Sequence, residues 1–305
     1  MQRILVTGSH RSGSTWVGRI LASTPKALYI NEPFNPARGH EDPALAPVFT
    51  DRWFLNIEDA SESERHAIEQ IASLDYRFLR GFRSANNIRS RGAAVKLWIR
   101  WRKKAGSIQQ VIYKDPIALF SAPWLAENLQ MQPVVLIRHP AAFAASLIRL
   151  NWSFPFIDFL AQPRLMERLH LYADEIEEAA SQEAPILEQA SLLWNCFHNQ
   201  IAAYQKREKN WLFWRHEDLS SNPDESFRTL FNQLKIPYKG SPEDAVRRSS
   251  SANKKVSDRS SPFCTIMDST VAMTKWKQEL NGDSIKQIRS LTEREACQFY
   301  SPEDW

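Results

Sequence analysis

The chain has 305 residues, 43% hydrophobic and 24% charged, which suits a globular protein able to bury a core and excludes fibrous and disordered classes. A net charge of +4 is too small to argue for a nucleic-acid partner, although it suits a protein that handles an anionic ligand. Cys196, Cys264 and Cys297 lie far apart with no C-x-x-C spacing, so neither a disulfide framework nor a zinc site is indicated, and a reducing cytoplasm is the expected location. No apolar run approaches the ~20 residues of a membrane span, and no signal peptide precedes the first apolar run.

Ile4 to Val6 is a short apolar run without polar alternation, which predicts a strand buried on both faces. A polar turn punctuated by Gly8 and Gly13 follows, and then Trp16, Val17, Ile20 and Leu21 recur at helical spacing. Ala27 to Ile30 predicts a second strand, ending at Asn31-Glu32-Pro33-Phe34, and the prolines beyond it suggest an irregular loop to about Val48. Ser61 to Leu74 predicts a helix, opened by a capping box from Ser61 to Glu64 and presenting Ala67, Ile68, Ile71 and Leu74 on one face. Val111 to Tyr113 is the third strand, leading into Lys114-Asp115-Pro116. Pro133 to Ile137 is the fourth, and it delivers Arg138-His139-Pro140, the proline favouring a helix over Ala141 to Leu150.

Two longer helices are predicted over 164–180 and 186–207, the second burying Leu192, Leu193, Cys196, Ile201 and Tyr204. Trp211 to Trp214 is a fifth strand, followed by Arg215-His216-Glu217-Asp218-Leu219. The stretch from Lys239 to Pro262, rich in Ser, Lys and Arg, is the least structured and is expected to form a flap. Strands alternate with helices throughout. This predicts a single α/β domain over 1–305, a doubly wound parallel sheet flanked by helices, with a helical or irregular insertion at 35–110.

The first turn is built for an anion, because glycine lets backbone amides approach a ligand and the following helix N-terminus adds partial positive charge. Gly8 and Gly13 have the spacing of the nucleotide-triphosphate loop G-x-x-x-x-G-K-[ST], but Ser14 stands where that motif requires lysine, and the cation is Arg11 instead. Arg138 and Ser146, eight residues apart at a strand end and two turns into the next helix, can grip one phosphate.

Arg11-Ser12-Gly13-Ser14-Thr15-Trp16 after an N-terminal strand, joined with the Arg138–Ser146 separation, resembles the sulfotransferases that use 3′-phosphoadenosine 5′-phosphosulfate (PAPS). Weaker matches are Arg215 to Leu219 with Asn222-Pro223 and the helix from Asp224 to Leu234, and Val271 to Leu280, which with Trp276 four residues before Leu280 resembles the family's C-terminal W-x-x-x-L helix; these read as structural. Residues 35–110 match nothing in that family. The resemblance implies a P-loop-like fold, PAPS as donor, adenosine 3′,5′-bisphosphate (PAP) as product and no metal. It further implies that Arg11, Ser12, Gly13, Ser14, Thr15 and Trp16 hold the 5′-phosphosulfate, that Arg138 and Ser146 bind the 3′-phosphate, and that Arg259 in the flap adds a cofactor contact. Arg11 would then neutralise charge on the departing nucleotide, with Lys114 assisting at the sulfuryl group.

The general base is a choice between two carboxylates. Members acting on phenols and steroids carry a His at the end of the third strand, where this chain has Lys114 and Asp115, whereas carbohydrate-type members use a Glu after the second strand, which Glu32 matches. The alternative reading is that Glu32 only orders the site by pairing with Arg11 or Lys114, and Asp115 is the second candidate base. His40, His66, His170 and His198 are isolated and read as surface or satisfied core residues. Between Tyr76 and Lys114 no acidic residue occurs, while Arg77, Arg80, Arg83, Arg89, Arg91, Lys96, Arg100, Arg102, Lys103 and Lys104 are interleaved with Phe78, Phe82, Trp98 and Trp101. Such a surface suits an anionic glycan or glycolipid acceptor, with peripheral contact to a membrane. The rival readings are a nucleotide-dependent small-molecule kinase, against which Ser14 speaks, and a non-catalytic polyanion-binding protein.

Overall fold

The computed structural model describes residues 1–37, 50–73, 106–182, 184–250 and 273–305, together with four isolated positions between 92 and 99. Its centre is a five-stranded parallel sheet of β1 (Gln2–Gly8), β2 (Ala27–Asn31), β3 (Gln110–Lys114), β4 (Met131–Ile137) and β5 (Leu212–Arg215) in the order β2-β3-β1-β4-β5. The chain winds from β1 outward to β2 and back through β3, then crosses β1 to reach β4 and β5. The sheet is therefore doubly wound, and β1 is its switch point, where such folds gather ligands beyond the strand C-termini.

Because side chains alternate along a strand, β1 and β4 feed two cores. Ile4, Val6, Val134 and Leu136 face one side, where they meet Val17, Ile20 and Leu21 of helix Ser14–Ala22 and Phe227, Leu230 and Phe231 of helix Pro223–Gln233. Leu5, Val135 and Ile137 face the other, against Phe143 of helix Pro140–Leu150 and Trp194, Phe197 and Ile201 of helix Ile186–Arg207, which also packs on helix Gly282–Ala296.

The strands and most helices stand where the sequence puts them. The capping box of helix Glu62–Ser73 is present, with Ser61 Oγ accepting from Glu64 N and Glu64 Oε2 accepting from Ser61 N. In helix Ile186–Arg207, Leu193, Cys196, Ile201 and Tyr204 are buried, while Leu192 is half-buried.

Three expectations are corrected. The helix predicted over 164–180 is broken into Pro163–Arg168, a 3-10 turn at His170–Tyr172 and Ala173–Ser181, and the tighter turn brings the Tyr172 hydroxyl to Glu295 at 2.6 Å. The first half of the expected flap is helix Ser241–Ser250. Its acidic first turn and basic last turn complement the helix dipole, Glu243 Oε2 accepts from Gly240 N, and Val246 packs into the core. The helix around Trp276 is a single turn, Trp276–Glu279. Residues 251–272, with the rest of the flap, lie outside the described residues, as do most of 74–105 with their cluster of cations and aromatics. Among the described residues, no helix is long and apolar enough to cross a membrane.

Candidate active site

The loop after β1 is shaped by two backbone constraints. Gly8 takes φ 132°, and a Cβ there would lie 2.2 Å from the Leu136 carbonyl oxygen, so only glycine lets β1 end this close to β4. Gly13 takes φ 88°, and a Cβ there would lie 2.5 Å from His216 Nδ1. Arg11 between them is also left-handed, at φ 64°, a conformation of the kind concentrated at functional sites. Val17 N donates to Gly13 O at 3.1 Å as the first helical bond, so the amides of Ser14 to Trp16 precede the helix's own ladder.

Arg11 and Arg138 are tied together. Arg138 Nη1 donates to the Arg11 carbonyl at 2.8 Å, and Arg11 Nε donates to Ser146 Oγ at 3.0 Å, so Arg138 braces the loop after β1 while Arg11 joins it to helix Pro140–Leu150. Burial lowers the Arg11 pKa to about 10, with further lowering from Arg138 and Arg149. Burial lowers Arg138 as well, opposed by Glu217. Trp16, in the first helical turn, donates from Nε1 to Ser249 Oγ at 2.9 Å and packs edge-on against His216 and Phe227.

The loop's buried polar atoms fit an anionic ligand. Ser9 Oγ, Ser12 Oγ, Arg138 Nε and His216 Nδ1 are buried without a hydrogen-bond partner among the described residues, and groups of this kind are ordinarily satisfied.

At the other side of the crevice, Glu32 follows β2 with φ 49°, and its backbone N donates to Lys114 O at 2.7 Å. Its Oε1 accepts from Lys114 Nζ and its Oε2 from Asn35 Nδ2 at 2.8 Å. The pairing with Lys114 expected of an ordering role is thus present, and it leaves a carboxylate at the C-terminal edge of the sheet. Asp115 is engaged differently. Its Oδ2 accepts from Phe34 N at 2.7 Å and its Oδ1 from Ile117 N at 3.0 Å, so it caps the 3-10 turn Pro116–Ala118 and anchors the chain leaving β2. It is fully buried, and burial first, then Glu32, pushes its pKa up to about 7. Arg259 lies outside the described residues.

Four residues escaped the sequence reading. Glu217 accepts from His139 N at 3.1 Å and from the Tyr300 hydroxyl at 3.0 Å, and its charge supports Arg138 from behind. Arg149 reaches Ser146 Oγ with Nη2 at 3.5 Å; its spacing of three from Ser146 on one helix was the available signal. His216 forms the wall behind Gly13. His10 sits beside Arg11, boxed by Phe54, Phe143, Trp152 and Phe197 at ring distances of 5.0–5.8 Å, and burial lowers its pKa to about 3. Of the isolated histidines, His66 and His170 are exposed, and His198 is buried with Nδ1 against Trp194 O at 2.8 Å. His40 lies outside the described residues.

A parallel sheet with a glycine-rich loop at its switch point and arginines facing that loop defines a P-loop-like anion-binding enzyme. The profile of the Sulfotransferase family matches residues 3–240. The chain belongs to the sulfotransferase family. Among solved structures it is similar to the sulfotransferase domain from the curacin biosynthetic pathway, at 17% identity and a TM-score of 0.51, over 98% of this chain and 97% of that one. It is also similar to the sulfotransferase domain of the Synechococcus PCC 7002 olefin synthase (14% identity, TM-score 0.48, covering 99% and 95%). A third is mouse sulfotransferase SULT7A1 in complex with PAP (12% identity, TM-score 0.44, covering 99% and 87%). No curated protein sequence matches the chain.

Proposed function

We propose that this sulfotransferase moves the sulfuryl group of PAPS to a hydroxyl of a carbohydrate or glycolipid, with Glu32 as general base. The observation that carries the nucleotide half is the Arg11–Ser146 bond at 3.0 Å with Arg138 on the Arg11 carbonyl, which joins two motifs 135 residues apart into one phosphate-sized cluster. When bound, PAPS supplies an activated sulfuryl group. The amides and hydroxyls of Ser12 to Thr15 hold its 5′ end, Arg138 and Ser146 hold the 3′-phosphate, and Trp16 borders the nucleoside. As the acceptor oxygen bonds to sulfur, the bond from sulfur to the bridging oxygen breaks, the acceptor proton passes to Glu32, and Arg11 offsets the charge left on PAP.

The carbohydrate reading is supported by the position of Glu32, directly after β2 in Asn-Glu-Pro-Phe. Lys114, bonded to Glu32, orients that carboxylate and assists at the sulfuryl group. The basic and aromatic stretch within 35–110 provides the acceptor surface of the single domain, in a cytoplasmic enzyme that contacts membranes peripherally. Mass spectrometry of glycan, glycolipid and phenol pools incubated with enzyme and PAPS tests this. An added sulfuryl group on a sugar hydroxyl is expected, and ready sulfation of small neutral phenols with glycans untouched would contradict it.

A further inference from the structure

The Ser146 hydroxyl is approached by a second arginine besides Arg11. Arg11 Nε lies 3.0 Å from Ser146 Oγ, Arg149 Nη2 lies 3.5 Å away on the same helix, and Arg138 holds the Arg11 carbonyl. Each guanidinium has a carboxylate in its surroundings. Glu32 acts on Arg11, Glu217 acts on Arg138 from within the core, and Glu279 takes Arg149 Nη1 on both oxygens at 2.7 Å.

These carboxylates are not equivalent. Glu217 is fixed by His139 N and the Tyr300 hydroxyl, so it stays behind Arg138 whatever binds in front. Glu279 sits at the end of the one-turn helix Trp276–Glu279, shares its charge with Lys275 at 3.0 Å, and meets Arg149 where that side chain is 43% exposed. Arg149 therefore divides its fork, one nitrogen on an exchangeable surface carboxylate and the other directed at the hydroxyl of the phosphate cluster. A planar guanidinium matches a phosphate through two parallel bonds, and a dianion is a stronger partner than one shared carboxylate.

We infer that Arg149 is a further ligand of the donor's 3′-phosphate, exchanging Glu279 for it when the nucleotide binds, and so helps select 3′-phosphorylated nucleotides. The inference rests on the reading that Arg138 and Ser146 bind the 3′-phosphate. It adds that the exchange links nucleotide occupancy to the Trp276–Glu279 turn, whose Trp276 ring stacks on His139 at 4.8 Å, next to Arg138.

The test is isothermal titration of the full chain with PAP and with 5′-AMP, for wild type, Arg149→Met, Arg149→Lys, Glu279→Gln and Arg138→Ala, with a melting curve for each to verify folding. Arg149→Met is expected to weaken PAP roughly 10- to 100-fold, the range of a hydrogen-bonded charge, and to leave 5′-AMP within about twofold. Arg149→Lys, which keeps the charge without the fork, falls between. Glu279→Gln is expected to tighten PAP a few-fold because the competitor is gone. Equal changes for both nucleotides, or none, in Arg149→Met would overturn the inference, and weaker PAP binding in Glu279→Gln would overturn the exchange. A wild type that binds PAP and 5′-AMP alike refutes the underlying 3′-phosphate reading. A preference lost in Arg138→Ala but kept in Arg149→Met refutes only the role of Arg149.

Discussion

At the β1–β4 end Arg11 and Arg149 reach the Ser146 hydroxyl and Arg138 holds the Arg11 carbonyl, whereas between β2 and β3 one ammonium, Lys114, is matched by one carboxylate, Glu32. In the first arrangement each guanidinium has a carboxylate nearby, Glu32 for Arg11, Glu217 for Arg138 and Glu279 for Arg149. The second is a one-to-one pair, Lys114 Nζ on Glu32 Oε1. One end of the crevice thus gathers guanidinium groups, and the other pairs an ammonium with the carboxylate proposed as the general base.

The largest expected effect follows from separating the two. Glu32→Gln keeps the shape of the β2–β3 end and removes its proton acceptor, so turnover should fall about 100- to 10,000-fold. The dissociation constant for PAP, set at the other end, should stay within about twofold. Steady-state kinetics beside titration calorimetry reads both, and near-normal turnover would take Glu32 out of the base's role.

Next comes the buried Asp115. Its folded pKa of about 7 lies above its ordinary 3.8, so the folded chain keeps a proton that the unfolded chain releases. The associated stability is full below about pH 4 and is lost as pH rises towards 7. At about 1.4 kcal/mol per pH unit the loss is at most ~4 kcal/mol. Urea unfolding at several pH values should show Asp115→Asn gaining on wild type by up to that amount across the interval. Parallel curves would mean that Asp115 carries no suppressed charge.

A smaller effect is expected at Gly18, where helix Ser14–Ala22 rides on β3. A Cβ there would lie 3.0 Å from Cβ and Cγ of Lys114 and 3.2 Å from Tyr29 Cε2, so Gly18→Ala should displace the lysine stem. Turnover should drop roughly tenfold with PAP affinity retained, since small misplacements near the chemistry are costly. Loss of PAP binding in this variant would mean that the two ends do not act separately.

The same division decides what the sequence reveals. The nucleotide end is local, with a strand, a glycine turn and a helix start in thirteen residues, and Arg138 and Ser146 on consecutive elements, so spacing alone exposes it. Glu217 and Glu279 are invisible there, because one reaches His139 across 78 positions and the other reaches Arg149 across 130. Asp115 reads as a candidate base, and only folding reveals two backbone amides on its oxygens. The strands are legible because doubly buried strands are continuous apolar runs. The break at His170–Tyr172 is not, since Leu165, Leu169, Tyr172 and Ile176 keep helical spacing through a turn that a remote partner, Glu295, helps to fix.

If the β1–β4 end reads a 3′-phosphate, the melting temperature of the wild-type chain should separate PAP from 5′-AMP, each in hundredfold excess over the PAP dissociation constant. PAP should add ~2.7 kcal/mol of stability and 5′-AMP far less; equal shifts with the two nucleotides would contradict the account.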